Sequence, residues 1–170
     1  CAFSLFSQAP SGGIAGTIGL TKSGAGRLTL ATTNTYSGVT AILGGTLQLG
    51  NGTNDGSIAG SSSITNDGSL VYDLTGTQTC GVVISGSGSL TKSGTGTLYV
   101  AGTANTYTGG TVIAGGTLII QGDTSLGAVP GAFDPDNIII TNGGKLQMAA
   151  VSDVSLNGSR GITLGPGIQN

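Results

Sequence analysis

Histidine, tryptophan and glutamate do not occur in this 170-residue chain. Without histidine, the side chain that most often serves as general base, metal ligand and triad member is gone in one step. Charge is scarce too: five Lys and Arg stand against seven Asp, with a net charge of -2 and no run of one sign. Nucleic acid needs clustered Lys and Arg to displace counterions, and anionic lipid needs a polybasic patch. Neither is present, so no nucleic-acid partner is expected. No apolar run approaches the roughly 20 residues that cross a bilayer as a helix, so no transmembrane segment is expected. Three Phe and four Tyr cannot fill a bulky globular core, which must come from small aliphatic side chains at close spacing. Two cysteines, Cys1 and Cys80, are too few for a disulfide framework and lack metal-ligand spacing.

What the chain has in quantity is glycine, 34 residues, and threonine, 24. Such a composition could signal disorder, but disordered segments lack the regular apolar triplets seen at Val82-Val83-Ile84, Leu118-Ile119-Ile120 and Ile138-Ile139-Ile140. Strand signals are short and dense: 27–30, 39–43, 46–49, 69–73, 82–84, 97–100, 111–114, 117–121, 137–141, 145–148 and 161–164. Between them fall turn pairs such as Asn51-Gly52, Asp67-Gly68, Gly115-Gly116 and Gly143-Gly144. A barrel, a sandwich and a β-helix all fit that spacing.

An internal duplication separates them. Leu20-Thr21-Lys22-Ser23-Gly24-Ala25-Gly26-Arg27-Leu28 returns as Leu90-Thr91-Lys92-Ser93-Gly94-Thr95-Gly96-Thr97-Leu98. Asn34-Thr35-Tyr36-Ser37-Gly38 returns as Asn105-Thr106-Tyr107-Thr108-Gly109, and Gly44-Gly45-Thr46-Leu47 as Gly115-Gly116-Thr117-Leu118. Short glycine-punctuated strands at a fixed period mark a solenoid, in which each unit buries its apolar face only by stacking on its neighbours. The expected fold is all-β, a right-handed parallel β-helix of roughly seven coils at about 20 to 25 residues and ~4.8 Å each, with about three coils per repeat. Leu, Ile and Val should stack inward while Thr and Ser line the outside. Residues 1–13 lie outside the repeats, and 14–170 form a single β-helix with repeats at about 20–89 and 90–169.

The pattern Leu-Thr-Lys-Ser-Gly-x-Gly-x-Leu, then Asn-Thr-Tyr-x-Gly, then Gly-Gly-Thr-Leu, present at 20–50 and 90–122, resembles the passenger-associated transport repeat, also called the autotransporter-associated β-strand repeat, of large bacterial surface proteins. The resemblance implies a β-helical stalk, export and a place outside the cell or on the bacterial outer surface. It implies no catalysis and no cofactor.

Among residues able to carry chemistry, Asp123, Asp134 and Asp136 form the best local carboxylate group, as parallel β-helices also house carbohydrate-active enzymes built on clustered acids. Asp134-Pro135-Asp136-Asn137 reads as a turn in which side chains bond the backbone. Lys22 and Lys92 recur in phase and are expected on one side of the rod as solubilising edge residues. Tyr36 and Tyr107 also recur in phase, as a structural ladder or a sugar-stacking pair.

Phe3, Leu5 and Phe6 are read as a cap plugging the open core, or as part of an arm adding a strand to a neighbouring subunit. Cys1 could carry an acyl anchor or reach Cys80 of the same or a neighbouring chain. The closing residues, Gly161 to Ile168, are in phase with Gly81 to Gly88, which lead into the second repeat. Two explanations compete: a subunit stacking head to tail into a fibre with a spacer or adhesive role, or a fragment of an autotransporter-like adhesin stalk. Partners are then further copies of the chain, a surface glycan or a neighbouring cell, and a carbohydrate-active enzyme is the alternative from another class.

Overall fold

A computed structural model describes residues 12–149 and 154–167. They form a parallel β-solenoid of about seven turns with three sheets along its length. Sheet I stacks β1 (Leu20–Lys22), β3 (Thr40–Ile42), β5 (Ile64–Asn66) and β8 (Ile84–Ser85). Sheet II runs through β2 (Arg27–Leu30), β4 (Thr46–Leu49), β6 (Ser69–Asp73), β9 (Ser89–Ser93), β11 (Thr111–Ile113), β13 (Asp134–Ile140) and β15 (Arg160–Leu164). Sheet III stacks β7 (Thr77–Cys80), β10 (Thr97–Val100), β12 (Thr117–Ile120) and β14 (Lys145–Met148). Every pairing is parallel. At ~4.8 Å per strand, the seven strands of sheet II extend about 29 Å along the axis.

Alternation along each strand sends one set of side chains inward, and parallel register stacks them in columns. In sheet II one column reads Leu28, Leu47, Leu70, Leu90, Thr111, Ile138 and Ile162, and the next Leu30, Leu49, Tyr72, Lys92, Ile113, Ile140 and Leu164. Interior members of both columns are buried, each aliphatic one contributing roughly 1.5–3 kcal/mol relative to exposure. The outward column between them, Thr29, Gln48, Val71, Thr91, Val112, Ile139 and Thr163, is mostly β-branched, as an extended backbone favours.

Corners depend on glycine where coils touch. Gly116 has φ +61, and a Cβ there would lie 2.2 Å from the Gly96 carbonyl oxygen and 2.9 Å from Lys92 Nζ. Gly45 repeats this over Gly26 and Gly24 in the first copy. The Gly-Gly of one coil therefore sits on the Gly-x-Gly of the coil below, a contact no side chain permits.

The two sequence repeats are not superposed along the axis. Leu20-Thr21-Lys22 lies in sheet I and its counterpart Leu90-Thr91-Lys92 in sheet II. Arg27 to Leu30 lies in sheet II, and its counterpart Thr97 to Val100 in sheet III. One repeat spans three coils and one further face. The expectation that Lys22 and Lys92 share a side of the rod is thus incorrect, because the period is not a whole number of turns.

Candidate functional site

The polar letters of the repeat converge on the interior. Asn34 and Asn105 are buried pins joining three successive coils. Asn105 Oδ1 accepts the Ile84 N–H at 2.8 Å, while Nδ2 donates to the carbonyls of Gly102 and Ser125 at 3.1 and 3.0 Å. Asn34 does the same, accepting from Ile14 and donating to the Thr32 and Ser57 carbonyls. Asparagine suits the position because one amide offers an acceptor and two donors at once.

Tyr36 and Tyr107 are buried rather than presented to a ligand. Tyr107 Oη bonds Thr111 Oγ1 at 2.8 Å, and Tyr36 Oη bonds Thr40 Oγ1 at 2.6 Å, with Ser61 Oγ a further 2.8 Å from Thr40. Burial raises both phenols above their ordinary pKa, so they remain hydroxyls. Of the two roles open to this pair, the surface that stacks a sugar is absent here.

Lys22 and Lys92 are buried as well, which corrects their reading as solubilising edge residues. Lys22 Nζ donates to the carbonyls of Ser23, Gly24 and Gly44 at 2.9, 2.7 and 3.0 Å, clamping two stacked corners together. Lys92 Nζ donates to Ser93 and Gly94 in the equivalent corner. Burial pushes the Lys92 ammonium below its ordinary pKa, against the pull of Asp73 and Asp55. The long methylene stem completes the apolar column while the carbonyls replace water at its head.

The carboxylates are spent on coil-to-coil bonds. Asp55 accepts Thr75 N–H, Thr75 Oγ1–H and Gly76 N–H from the next coil, and Asp67 accepts Ser87 N–H and Oγ1-equivalent Oγ–H. Of the acidic trio, Asp134 accepts the Asp136 N–H and an Asn137 Nδ2–H, and Asp136 accepts Thr163 Oγ1–H at 2.6 Å, a turn as the sequence indicates. Asp123 is drawn away to Arg160. Among the described residues no group of three or more His, Cys, Asp or Glu is placed to hold a metal.

Arg160 is the one site residue the sequence reading passed over. Its guanidinium is fully enclosed, with Nε and Nη2 on the Asp123 carboxylate at 2.8 and 3.2 Å. The remaining donors reach the carbonyls of Asp123, Leu126 and Gly127 and Asn137 Oδ1. Burial alone would raise the Asp123 pKa, but the bonds from Arg160 and Asn157 and the guanidinium charge hold it below the usual value. A lone Arg in a strand gave no signal, since its acid lies 37 residues away.

Cys80 is buried in β7, its Sγ 3.8 Å from the Val82 carbonyl, and burial raises its thiol pKa. It borders a cavity of about 10 Å³ with Ile58, Tyr72 and Gln78, space for about one water. Cys1, Phe3, Leu5 and Phe6 lie outside the described residues. No described helix is long and apolar enough to cross a membrane.

The passenger-associated-transport-repeat family matches residues 20–49 and 90–120. Over 114 residues, 67% of this chain, the sequence is 49% identical to the adhesin BmaC autotransporter of Brucella suis biovar 1 (strain 1330). The chain spans 3% of the length of that curated relative. No solved structure matches.

Proposed function

We propose that this chain, which carries two passenger-associated-transport repeats and belongs to that family, serves as a length of rigid stalk in a bacterial surface adhesin. The observation that carries the reading is the use of every repeated polar residue inside the rod: Lys, Asn and Tyr of the motif bind one coil to the next and leave no reactive group on the surface. Likeness to an adhesin over two thirds of the chain agrees with it. The mechanism is mechanical. Backbone ladders, apolar columns and buried pins make a stiff spacer that holds an adhesive region, aimed at a glycan or a neighbouring cell, away from the outer surface.

The test is competition and labelling. Antibody raised against the purified chain should stain intact, unpermeabilised cells expressing the full protein. The purified chain at micromolar concentration should leave attachment of those cells unchanged, whereas strong inhibition would assign the binding site itself to this segment and overturn the spacer role.

A second reading, head-to-tail stacking of subunits into a fibre, is favoured by the open core at one end, where Ile162 and Leu164 are 46% and 63% exposed. In that reading residues 1–13, with Phe3, Leu5 and Phe6, act as an arm or cap, and Cys1 reaches Cys80 of a neighbouring subunit. Negative-stain microscopy would then show fibres that lengthen with concentration, and non-reducing electrophoresis a ladder that reductant collapses. Isolated short rods and a single band would dismiss it.

A further inference from the structure

Three equivalent positions follow a screw. Ile14, Ile84 and Leu164 begin successive repeats, as the shared bonding of the first two makes plain: Ile14 N–H and Ile84 N–H both donate to a pin asparagine, and their carbonyls accept from Thr35 and Thr106. Ile14 lies on the third side of the rod, Ile84 in sheet I and Leu164 in sheet II. From Ile84 to Leu164 the path runs across one face, from β8 to β9, and up three coils through β11 and β13 to β15. From Leu20 to Leu90 it is likewise three coils, through β3, β5 and β8, and one face.

The first step takes 70 residues and the second 80, yet both turn by one face. Longer turns absorb the difference: the register from β9 to β11 is 21 residues and that from β11 to β13 is 27, between Leu90, Thr111 and Ile138. Phase is therefore held by the pins and corners, not by residue count.

We infer that the repeat is a screw unit of three coils and one face, and that the coil end formed by Leu146, Met148, Ile162 and Leu164 is a docking surface for a further copy of the same repeat, entering on sheet III. These four residues are the last members of columns whose preceding members, Leu118, Ile120, Ile138 and Ile140, are buried. The bond pattern that opened the first two repeats is already begun at Leu164. A copy of residues 84–163 set there places its Leu90 over Leu146 and its Lys92 over Met148. Any group that each repeat displays outward then faces three directions in turn and returns to its first face after three repeats, ten coils, or about 48 Å. This holds whether or not the stalk itself binds anything, so it stands apart from the adhesive role.

The experiment inserts a second copy of residues 84–163 between Thr163 and Leu164 of the full chain. A crystal structure of that chain should show one continuous rod with the inserted Leu90 in sheet III, and amide exchange at Leu146 and Met148 should slow at least a hundredfold relative to the natural chain. A parallel insertion of residues 14–83, also one repeat, should behave the same way. An inserted copy on sheet II, or both insertions yielding separate or unfolded bodies with exchange at Leu146 unchanged, would overturn the inference.

Discussion

Lys22 and Lys92 occupy the same letter of the repeat, point into the same rod, and lie on different sheets of it. Each ammonium closes a corner between stacked coils, and each is overlain by a Gly-Gly turn of the coil above. The offset of one face between them shows that the repeat encodes a local corner, reproducible on any side of the rod, and not a position around its circumference.

The corner makes a sharp demand on Gly116. With φ +61 and a Cβ position 2.2 Å from the Gly96 oxygen, Gly116→Ala combines left-handed strain with a backbone clash and should cost at least about 2 kcal/mol, lowering Tm by roughly 4–8 °C or more. Gly122, at φ -172 with open space around it, is the control. Gly122→Ala should stay within about 0.5 kcal/mol. Thermal unfolding followed by circular dichroism reads both.

Asn105→Ala should leave the Ile84 N–H and the carbonyls of Gly102 and Ser125 without partners and cost about 2–3 kcal/mol. Asn105→Asp keeps the acceptor but turns a carboxylate toward two carbonyls. It should be the worse variant at pH 7 and regain stability as the acid is protonated, a crossover that denaturant titrations at pH 7 and pH 4 would reveal.

The tyrosines differ in one respect. Thr111 Oγ1 bonds Tyr107 alone, whereas Thr40 Oγ1 also bonds Ser61. Tyr107→Phe should therefore cost about 1 kcal/mol or more, and Tyr36→Phe less than half as much. Equal losses would mean that the hydroxyls contribute by burial and not by bonding.

Acid should loosen the rod at the last coil. Asp123, and Asp55 through its bonds to Thr75 and Gly76, both titrate below their ordinary value of 3.8 in the folded chain despite the opposing effect of burial. Stability from these groups is complete above pH 3.8 and is lost as pH falls through the lower folded values. Asp123→Asn leaves the enclosed Arg160 unpaired and should cost about 3–5 kcal/mol at pH 7. The gap from the natural chain should narrow below pH 3.8, which a thermal-melt series from pH 2.5 to 7 checks.

The solenoid was legible because duplication and strand spacing are properties of the chain alone. Eleven of the strand signals coincide with strands or lie within a residue or two of them, but β1, β5, β7 and β9 carried no such signal. Leu20-Thr21-Lys22 and Ile64-Thr65-Asn66 each have one aliphatic residue, and Thr77 to Cys80 has none. Their inward positions are filled by Lys22, Asn66 and Cys80, which fit there because neighbouring coils satisfy or enclose them. For the same reason Lys22, Lys92, Tyr36 and Tyr107 looked like surface features: a residue type announces a preference for water, and only stacked carbonyls and hydroxyls reverse it. The Arg160–Asp123 pair was invisible because its partners meet only after the chain has circled the rod.

The central claim, stacked parallel coils with repeats turned by one face, is tested most directly by paired cysteines on outward positions. Val71 and Thr91 are register partners on adjacent strands of sheet II, within the ~4.4–6.8 Å Cα range a disulfide needs. Were the repeats stacked in phase three coils apart, Thr91 would instead lie over Thr65, which in fact pairs with Ser85. Mild oxidation of the double variant Val71→Cys with Thr91→Cys should give an intramolecular bond in most molecules, and Thr65→Cys with Thr91→Cys should give none. The reverse pattern would contradict the account.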